Sequence, residues 1–475
     1  MMTLLLIGYF ATWGFIPHLL LRQKRPAATL AWLWAILFIP FLGAFAYFAI
    51  GTDRLHRHRL KRRSFFSARA TRQAAPASAT DEATAALLQT LPRRDRQFLQ
   101  LLSRINQLPA SSTTSLRLLC DAAEFYPALE QRIREARHHI HLEFYIWEAD
   151  ETGERFLRLL AEAARRGVIV RLLLDGVGSH GLPQEQLADY EDAGGNFSWF
   201  QSLAPLRMRF FMNLRNHRKL QIIDGRIAFV GGMNIGREHE AVDPVLGSWR
   251  DVQVEACGAI VGELQEVFAD DWFFATGEKI SEDCYYAPAS EPPRDAAHIV
   301  LGGPDRRNEP INRSIVSLLN EAGERVWIAT GYFVPDGIVL SALELAASRG
   351  VDVRLLISGR SDHPWLVTVG RSSYEQLLAA GVRIFEYSAG IHHAKLALVD
   401  ERWAMVGSAN LDYRSMRLNF ELNLLVHSHE RNAELAGIFE RDFRLSREID
   451  PAAFSRRPFR QRLAEAALRP FSPVL

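Results

Sequence analysis

Cysteine and lysine are the residues this sequence uses least. Three cysteines (Cys120, Cys257, Cys284) among 475 residues are odd in number and far apart, which excludes a disulfide framework and the usual zinc-ligand spacings. Nothing in them points to an oxidising compartment, so the core must hold the fold. Of 56 basic residues only five are lysine (positions 24, 61, 219, 279 and 395), so each retained lysine raises a question. Net charge is scarce too: 56 basic against 55 acidic residues leave +1, and no global field marks a nucleic acid as partner. With 48% hydrophobic and 23% charged residues the chain is neither disordered nor a polytopic transporter. At ~150 residues per domain, its length suggests about three structural units.

Charge is absent altogether from two N-terminal runs, residues 3–21 and 28–51. A bilayer core needs ~20 apolar residues of helix, so both runs are long enough to span one, and the hinge Arg22–Pro26 makes them a transmembrane hairpin. No basic leader or small-residue cleavage site argues for a signal peptide. Residues 54–72 carry eight basic side chains and no acid, against three in the hinge, which places the N-terminus and the large C-terminal part in the cytoplasm. The same run attracts anionic lipid. Pro17, Pro40 and small residues in the hairpin offer a surface for homo-oligomers. Residues 73–85 read as a linker. Residues 93–107 place Phe98, Leu101, Leu102 and Ile105 on one helical face that packs on its own domain.

From residue 111 the chain is written twice. Residues 135–177 are echoed by 321–359: an apolar strand, a loop, a helix ending in Arg-Gly and a β-branched strand. Strands alternating with such helices predict α/β layers, here two similar domains facing each other with pseudo-two-fold symmetry. The expected division is 1–52 (hairpin), 53–110 (basic juxtamembrane segment and linker helix), 111–288 (first domain) and 289–475 (second), with the proline-rich break at 286–298.

Inside the repeat, residues 217–234 read HRKLQIIDGRIAFVGGMN and 393–410 read HAKLALVDERWAMVGSAN. Both give His-x-Lys-x4-Asp, a Gly seven residues after the Asp, and an Asn seventeen after the His. Random placement of these histidines and lysines would give about 0.16 His-x-Lys pairs in the whole chain, so two, with fixed flanking residues, are not chance. On a strand, i and i+2 share a side, so His217 should point with Lys219 and His393 with Lys395. Asp224 and Asp400 complete the motif and are carried with its catalytic set, although opposite parity and the Asp224-Gly225 turn suit a structural position. Two imidazoles with two cations and two amides suit a phosphodiester. One imidazole attacks phosphorus to form a phosphohistidine, and the other protonates the leaving oxygen and deprotonates the incoming one. Lys219, Lys395, Asn234 and Asn410 would hold the non-bridging oxygens. Asp251 and Glu421 are the candidate carboxylates for fixing the histidine tautomers.

These paired motifs resemble the phospholipase D superfamily. NHRKLQIIDG, AFVGGMNIG, SWRD, GYFVPD and NLDYRSMRLNFE, with the segment AWLWAILFIPFLG, narrow the resemblance to bacterial cardiolipin synthases over nearly the whole chain. The resemblance implies two phospholipase D-like α/β domains behind the hairpin, in a multi-pass protein of the bacterial inner membrane. It implies His217 as carrier of the phosphatidyl group and His393 as general acid/base, without metal or cofactor. The implied reaction joins two phosphatidylglycerols into cardiolipin and releases glycerol. One phosphodiester is made as one is broken, so no nucleotide is needed. The family usually has an Asp and a Tyr near Gly236–His239, where this chain differs.

Other readings carry less. Gly176-x-Gly178-x-x-Gly181 follows a strand like a dinucleotide fingerprint, but the second copy lacks the glycines. His139, His141 and Glu143 share a strand face without a further ligand for a metal. A hydrolytic phospholipase D making phosphatidic acid would use the same residues. A nuclease fits poorly with the hairpin and the near-neutral charge, and a non-catalytic membrane-binding protein fits poorly with two intact motifs.

Overall fold

The computed structural model describes residues 12–21, 26–47, 79–200, 215–306 and 308–471. It divides into two compact units. The smaller, described over 12–21 and 26–47, contains helices Ile16–Leu21, Pro26–Phe38 and Pro40–Ala46. Leu19, Ile36 and Tyr47 form its small core. No helix among the described residues is long and apolar enough to cross a membrane. The second run is divided at Ile39, which leaves helical geometry (φ −131°, ψ 63°) because Pro40 follows it. A proline ring disfavours the α conformation in the preceding residue and supplies no N–H. The first run turns at Gly14–Phe15, and its residues 3–11 lie outside the described ones, as do the basic run 54–72 and the linker before residue 79. Eleven of the twenty exposed large apolar side chains among the described residues belong to this unit, Trp34, Phe38 and Phe45 among them.

The larger unit holds the duplicated α/β architecture. In the first half the strands are Ser115–Cys120 (β1), His139–Phe144 (β2), Ile169–Leu174 (β3), Asn196–Trp199 (β4), Leu220–Ile223 (β5), Ile227–Gly231 (β6) and Val252–Cys257 (β7). In the second they are Asp295–Gly302 (β8), Arg325–Thr330 (β9), Asp352–Ser358 (β10), Arg383–Tyr387 (β11), Leu396–Val399 (β12), Trp403–Gly407 (β13), Asn419–His427 (β14) and Ser446–Glu448 (β15). The first sheet runs β1-β7-β6-β5-β2-β3-β4, and the second repeats that order as β8-β14-β13-β12-β9-β10-β11, with β15 added at the edge. In each half three strands are parallel (β2-β3-β4, β9-β10-β11) and the rest antiparallel.

The repeated Asp…Arg-Gly pattern has a local cause. Asp150 accepts hydrogen bonds from Thr152 and Gly153 amides to start helix Glu151–Arg165, and Asp336 does the same with Ile338 and Val339 for helix Gly337–Ser348. Gly167 and Gly350, at φ 89° and 88°, end them in the left-handed region that favours glycine.

Helices Ile260–Thr276 and His429–Arg444 share one apolar core with strands of both sheets, so the two halves pack on each other. Helix Arg93–Asn106 buries Phe98, Leu99, Leu102 and Ile105; Leu101, expected on that face, is 43% exposed. The helix packs on the second half, where Phe98 meets the Trp403 ring edge-on at 5.0 Å. Ser111–Thr113 likewise pairs with β8 of the second sheet, so the chain visits the second half before building the first.

Candidate active site

Two short strand bridges join the halves and fix the site. Arg215–Asn216, just before the first motif, pairs in parallel with Asn419–Phe420, and Gly390–His392, just before the second, pairs in parallel with Ser248–Arg250. The next residue continues each register: His217 N–H donates to Phe420 O (2.9 Å) and His393 N–H to Arg250 O (2.7 Å). Each histidine therefore lands beside the carboxylate that follows the partner strand in the opposite half. His217 Nδ1 is 3.0 Å from Glu421 Oε2, and His393 Nδ1 is 2.7 Å from Asp251 Oδ2. Both candidate carboxylates are thus brought to the histidines, crossed between the halves.

Glu421, fully buried, also accepts from Ser408 Oγ (2.5 Å) and Asn419 Nδ2 (3.3 Å). Asp251 accepts from the Val252 amide at 2.8 Å. Gly232 makes room for it, since a Cβ there would lie 2.5 Å from Asp251 Oδ2. Arg218, the middle residue of the first motif, donates to Glu421 O and Gly302 O in the second half and pairs with Asp271.

The motif does not lie on a strand as expected. Residues 217–219 and 393–395 form connecting segments, and β5 and β12 begin one residue after each lysine. The bridges hold each histidine to one half while the following strand belongs to the other, and this crossing interrupts the ladder. The lysines reach the site all the same. Lys219 Nζ donates to its own motif's His217 O (2.9 Å) and Lys395 Nζ to His393 O, and both side chains are buried.

Asp224 and Asp400 are not brought to the histidines, which corrects their place in the catalytic set. They sit past the far ends of β5 and β12, about 20 Å along the chain at strand rise. Asp224 Oδ1 accepts from the amides of His138 (2.7 Å) and His139 (3.0 Å), and Asp400 Oδ1 from those of Gly323 (3.0 Å) and Glu324 (2.8 Å). Each staples the entry of a central strand from the left-handed region (φ 54° and 51°). The x4 spacing in the motif is the length of one strand.

Asn234 and Asn410 are buried and equivalent. Asn234 Oδ1 accepts from Ile146 N–H (3.2 Å), and Asn410 Oδ1 from Tyr332 N–H (3.3 Å). Those bonds orient the amides and leave each Nδ2 as donor, without a partner among the described residues.

Burial governs the electrostatics. It holds His217 down to about 4, with Lys219 and Lys395 adding to the effect and Glu421 opposing it. His393 is held well below the ordinary histidine value by burial and Lys395. Burial works to raise Asp251, but the hydrogen bond and charge of His393, with Lys395, outweigh it and leave the carboxyl at about 2. Glu421 is lowered in the same way, against burial, by His217 and Lys219. At neutral pH both carboxylates are ionised and both imidazoles neutral. Nδ1–H then donates to the carboxylate, and Nε2 keeps its lone pair. Burial also brings Lys219 down to about 7 and Lys395 to about 8. Near neutral pH Lys219 is about half protonated and Lys395 mostly so, and an arriving anion favours the charged form of both.

Several neighbours were not legible as site residues. Tyr145 meets His217 edge-on at 4.9 Å, and Lys219 Nζ lies 5.2 Å from the Tyr145 ring centre. Trp249 and His239 lie 5.1 and 6.2 Å from the His393 ring. Within the glycine pattern at 176–181, Gly178 is required by packing, since a Cβ there would lie 2.2 Å from Tyr145 O. His141 is engaged with Gln265 and Arg171, and Glu143 with Asn216.

A family model described as "Cardiolipin synthase, PLD-like domain" matches residues 129–272 and 315–443, and one described as "Phospholipase_D-nuclease N-terminal" matches residues 10–51. The cardiolipin synthase of Geobacillus thermodenitrificans is 37% identical over 96% of this chain and 90% of its own length. Cardiolipin synthase 2 of Bacillus anthracis is 35% identical over 96% and 88%. Among solved structures, the phosphatidylserine synthase of Haemophilus influenzae shares the fold at a TM-score of 0.60 with 16% identity, over 79% of this chain and 98% of its own. With the duplicated motif at one site and relatives matching from end to end, the chain belongs to the cardiolipin synthase family of phospholipase D-like phosphatidyltransferases.

Proposed function

We propose that this chain transfers a phosphatidyl group from one phosphatidylglycerol to another, giving cardiolipin and glycerol. The observation that carries the reading is the crossed pair of imidazole–carboxylate contacts converging with two buried lysines. The phosphodiester anion enters between Lys219 and Lys395, and its charge restores full protonation of both and raises the proton affinity of His393. His217 Nε2 attacks phosphorus. The P–N bond forms as the P–O bond to glycerol breaks, and His393 gives its Nε2 proton to the departing oxygen. The hydroxyl of a second phosphatidylglycerol then returns a proton to His393 as its oxygen displaces His217 from phosphorus. Asn234 and Asn410 Nδ2 groups and the two ammonium groups receive the non-bridging oxygens, where charge grows in both transition states. Asp251 and Glu421 hold the imidazoles in the productive tautomer.

The acceptor is a lipid because the enzyme works at a membrane. Support for this comes from the exposed apolar side chains of residues 12–47 and the basic run at 54–72. We place the two apolar runs in the bacterial inner membrane as the anchor, with the catalytic halves on the cytoplasmic side.

Purified full-length protein in phosphatidylglycerol vesicles should release one glycerol per cardiolipin formed. Phosphatidic acid as the main product would replace this reading with a hydrolase. The pH profile follows from the buried groups. Activity as kcat/KM should fall on the acid side as His217 takes up its proton at about 4, and fall on the alkaline side as His393, held below the ordinary histidine value, and then the free Lys219 and Lys395, at about 7 and 8, lose theirs. The alkaline limb of kcat should lie higher than that of kcat/KM, because bound phosphate holds the protons on the lysines. In Lys395→Arg the kcat/KM limb should move upward even where the rate is lower. An alkaline limb unmoved by that substitution would detach the lysines from substrate binding.

A further inference from the structure

The site is two-fold in its histidines, lysines, carboxylates and amides, but not at His239. Counting from Asn234 and Asn410, the second-half equivalent of His239 is Ser415, whose Oγ accepts the Asn410 amide at 3.2 Å. His239 has no such internal task. Its side chain is 1% exposed, yet neither ring nitrogen has a hydrogen-bond partner. The nearest carboxylate oxygen, on Glu238, is 3.7 Å from Nε2, beyond hydrogen-bonding reach. A buried polar ring without partners is costly to keep and rare in a settled core.

The ring is rigidly presented. The Arg237 amide donates to Asp150 Oδ2 (2.6 Å) and Glu240 pairs with Arg155 (2.8 Å), which ties the turn Arg237–His239 to the helix Glu151–Arg165, while the Gly236 amide donates to Tyr126 Oη on the helix Asp121–Glu135. The imidazole lies against Trp249 (ring centres 5.2 Å) and 6.2 Å from His393, on the side where the alcohol leaves and enters. Burial keeps it neutral at about 4, with Lys395 and Lys219 adding and Asp251 and Glu240 opposing. A neutral imidazole offers one donor and one acceptor. That pair suits a hydroxyl, which needs both, better than a phosphate oxygen, which only accepts and already has two lysines.

We infer that His239 is a specificity residue that hydrogen-bonds the free hydroxyl of the glycerol headgroup beside His393, holding the leaving glycerol in the first step and the acceptor headgroup in the second. The inference rests on the transfer reading above and names the group that distinguishes glycerol from other alcohols.

The test compares two donors with the same phosphodiester, phosphatidylglycerol and phosphatidylethanol, by the single-turnover rate of glycerol or ethanol release with the full-length enzyme in excess, since phosphatidylethanol has no hydroxyl to serve as acceptor. His239→Phe keeps a ring and removes both nitrogens. It should lower that single-turnover rate for phosphatidylglycerol by about 10- to 100-fold and leave phosphatidylethanol within about 3-fold, erasing the preference of the wild type. His239→Gln, which keeps a donor and an acceptor, should retain most of that preference. If thermal melting shows that the Phe variant does not fold, His239→Leu makes the same comparison. A parallel loss on both lipids, or a preference unchanged in the Phe or Leu variant, overturns the assignment. A wild type that releases glycerol with hydrolysis alone, or neither alcohol, instead overturns the transfer reading beneath it.

Discussion

Replacing His217 by asparagine is expected to lower cardiolipin formation by about 10³- to 10⁵-fold and to remove the covalent phosphoenzyme, because in the proposed mechanism His217 is the group that bonds to phosphorus. Its Nε2 keeps a lone pair through most of the working pH range, since burial holds the ring at about 4 while Glu421 fixes Nδ1–H. His393→Asn should behave differently. It loses the proton donor and acceptor but keeps the nucleophile, so both steps slow by about 10²- to 10⁴-fold. With a donor whose leaving group needs no proton, such as the p-nitrophenyl ester of phosphatidic acid, the first step should recover in His393→Asn while the second stays slow. Phosphohistidine should then accumulate on His217. Intact mass and an acid-labile phosphorus label would read it directly. Label on His393, or equal labelling of His217→Asn, would reverse the two roles.

Much of this site could be read before any coordinates were known, for a definite reason. The motif is dense in chemistry and occurs twice, and lysine is so rare in this chain that Lys219 and Lys395 stand out. The α/β layers followed from repeated strand–helix units whose helices end in Arg-Gly, which are local signals. What was not legible depends on contacts distant in sequence. Asp224 looks like Asp251 in a sequence, yet one staples backbone amides at a strand entry and the other meets His393 across the interface. Only the strand bridges Arg215–Asn216 with Asn419–Phe420 and Gly390–His392 with Ser248–Arg250 decide that. Tyr145 and Trp249 read as ordinary strand-end aromatics, because nothing local shows that their rings face a histidine. The break at Ile39–Pro40 in the second apolar run was not legible from hydropathy, which counts apolar residues and does not register a proline.

The crossed carboxylates carry the other large expected effect. Glu421→Gln keeps the shape of the side chain and can keep a contact with Ser408, but it replaces an ionised acceptor for His217 Nδ1–H by a neutral amide that can also favour the wrong tautomer. A loss of about 10³- to 10⁴-fold is expected, as for the orienting carboxylate of a Ser-His-Asp triad. Because Glu421 lies in the second half and acts on the nucleophile of the first, the loss should fall on phosphohistidine formation and persist with the p-nitrophenyl donor. Asp251→Asn acts on His393, so its first step should recover with that donor and its second should not. Alanine at either position is less informative, since stripping one member from a buried charged contact costs about 3–5 kcal/mol of stability. Uncrossed pairing would exchange the two outcomes: rescue of Glu421→Gln with the activated donor, and none for Asp251→Asn, would mean that Glu421 serves His393. The measured order therefore tests the strand bridges themselves, since the same two parallel pairings that join the halves also decide which carboxylate each histidine receives.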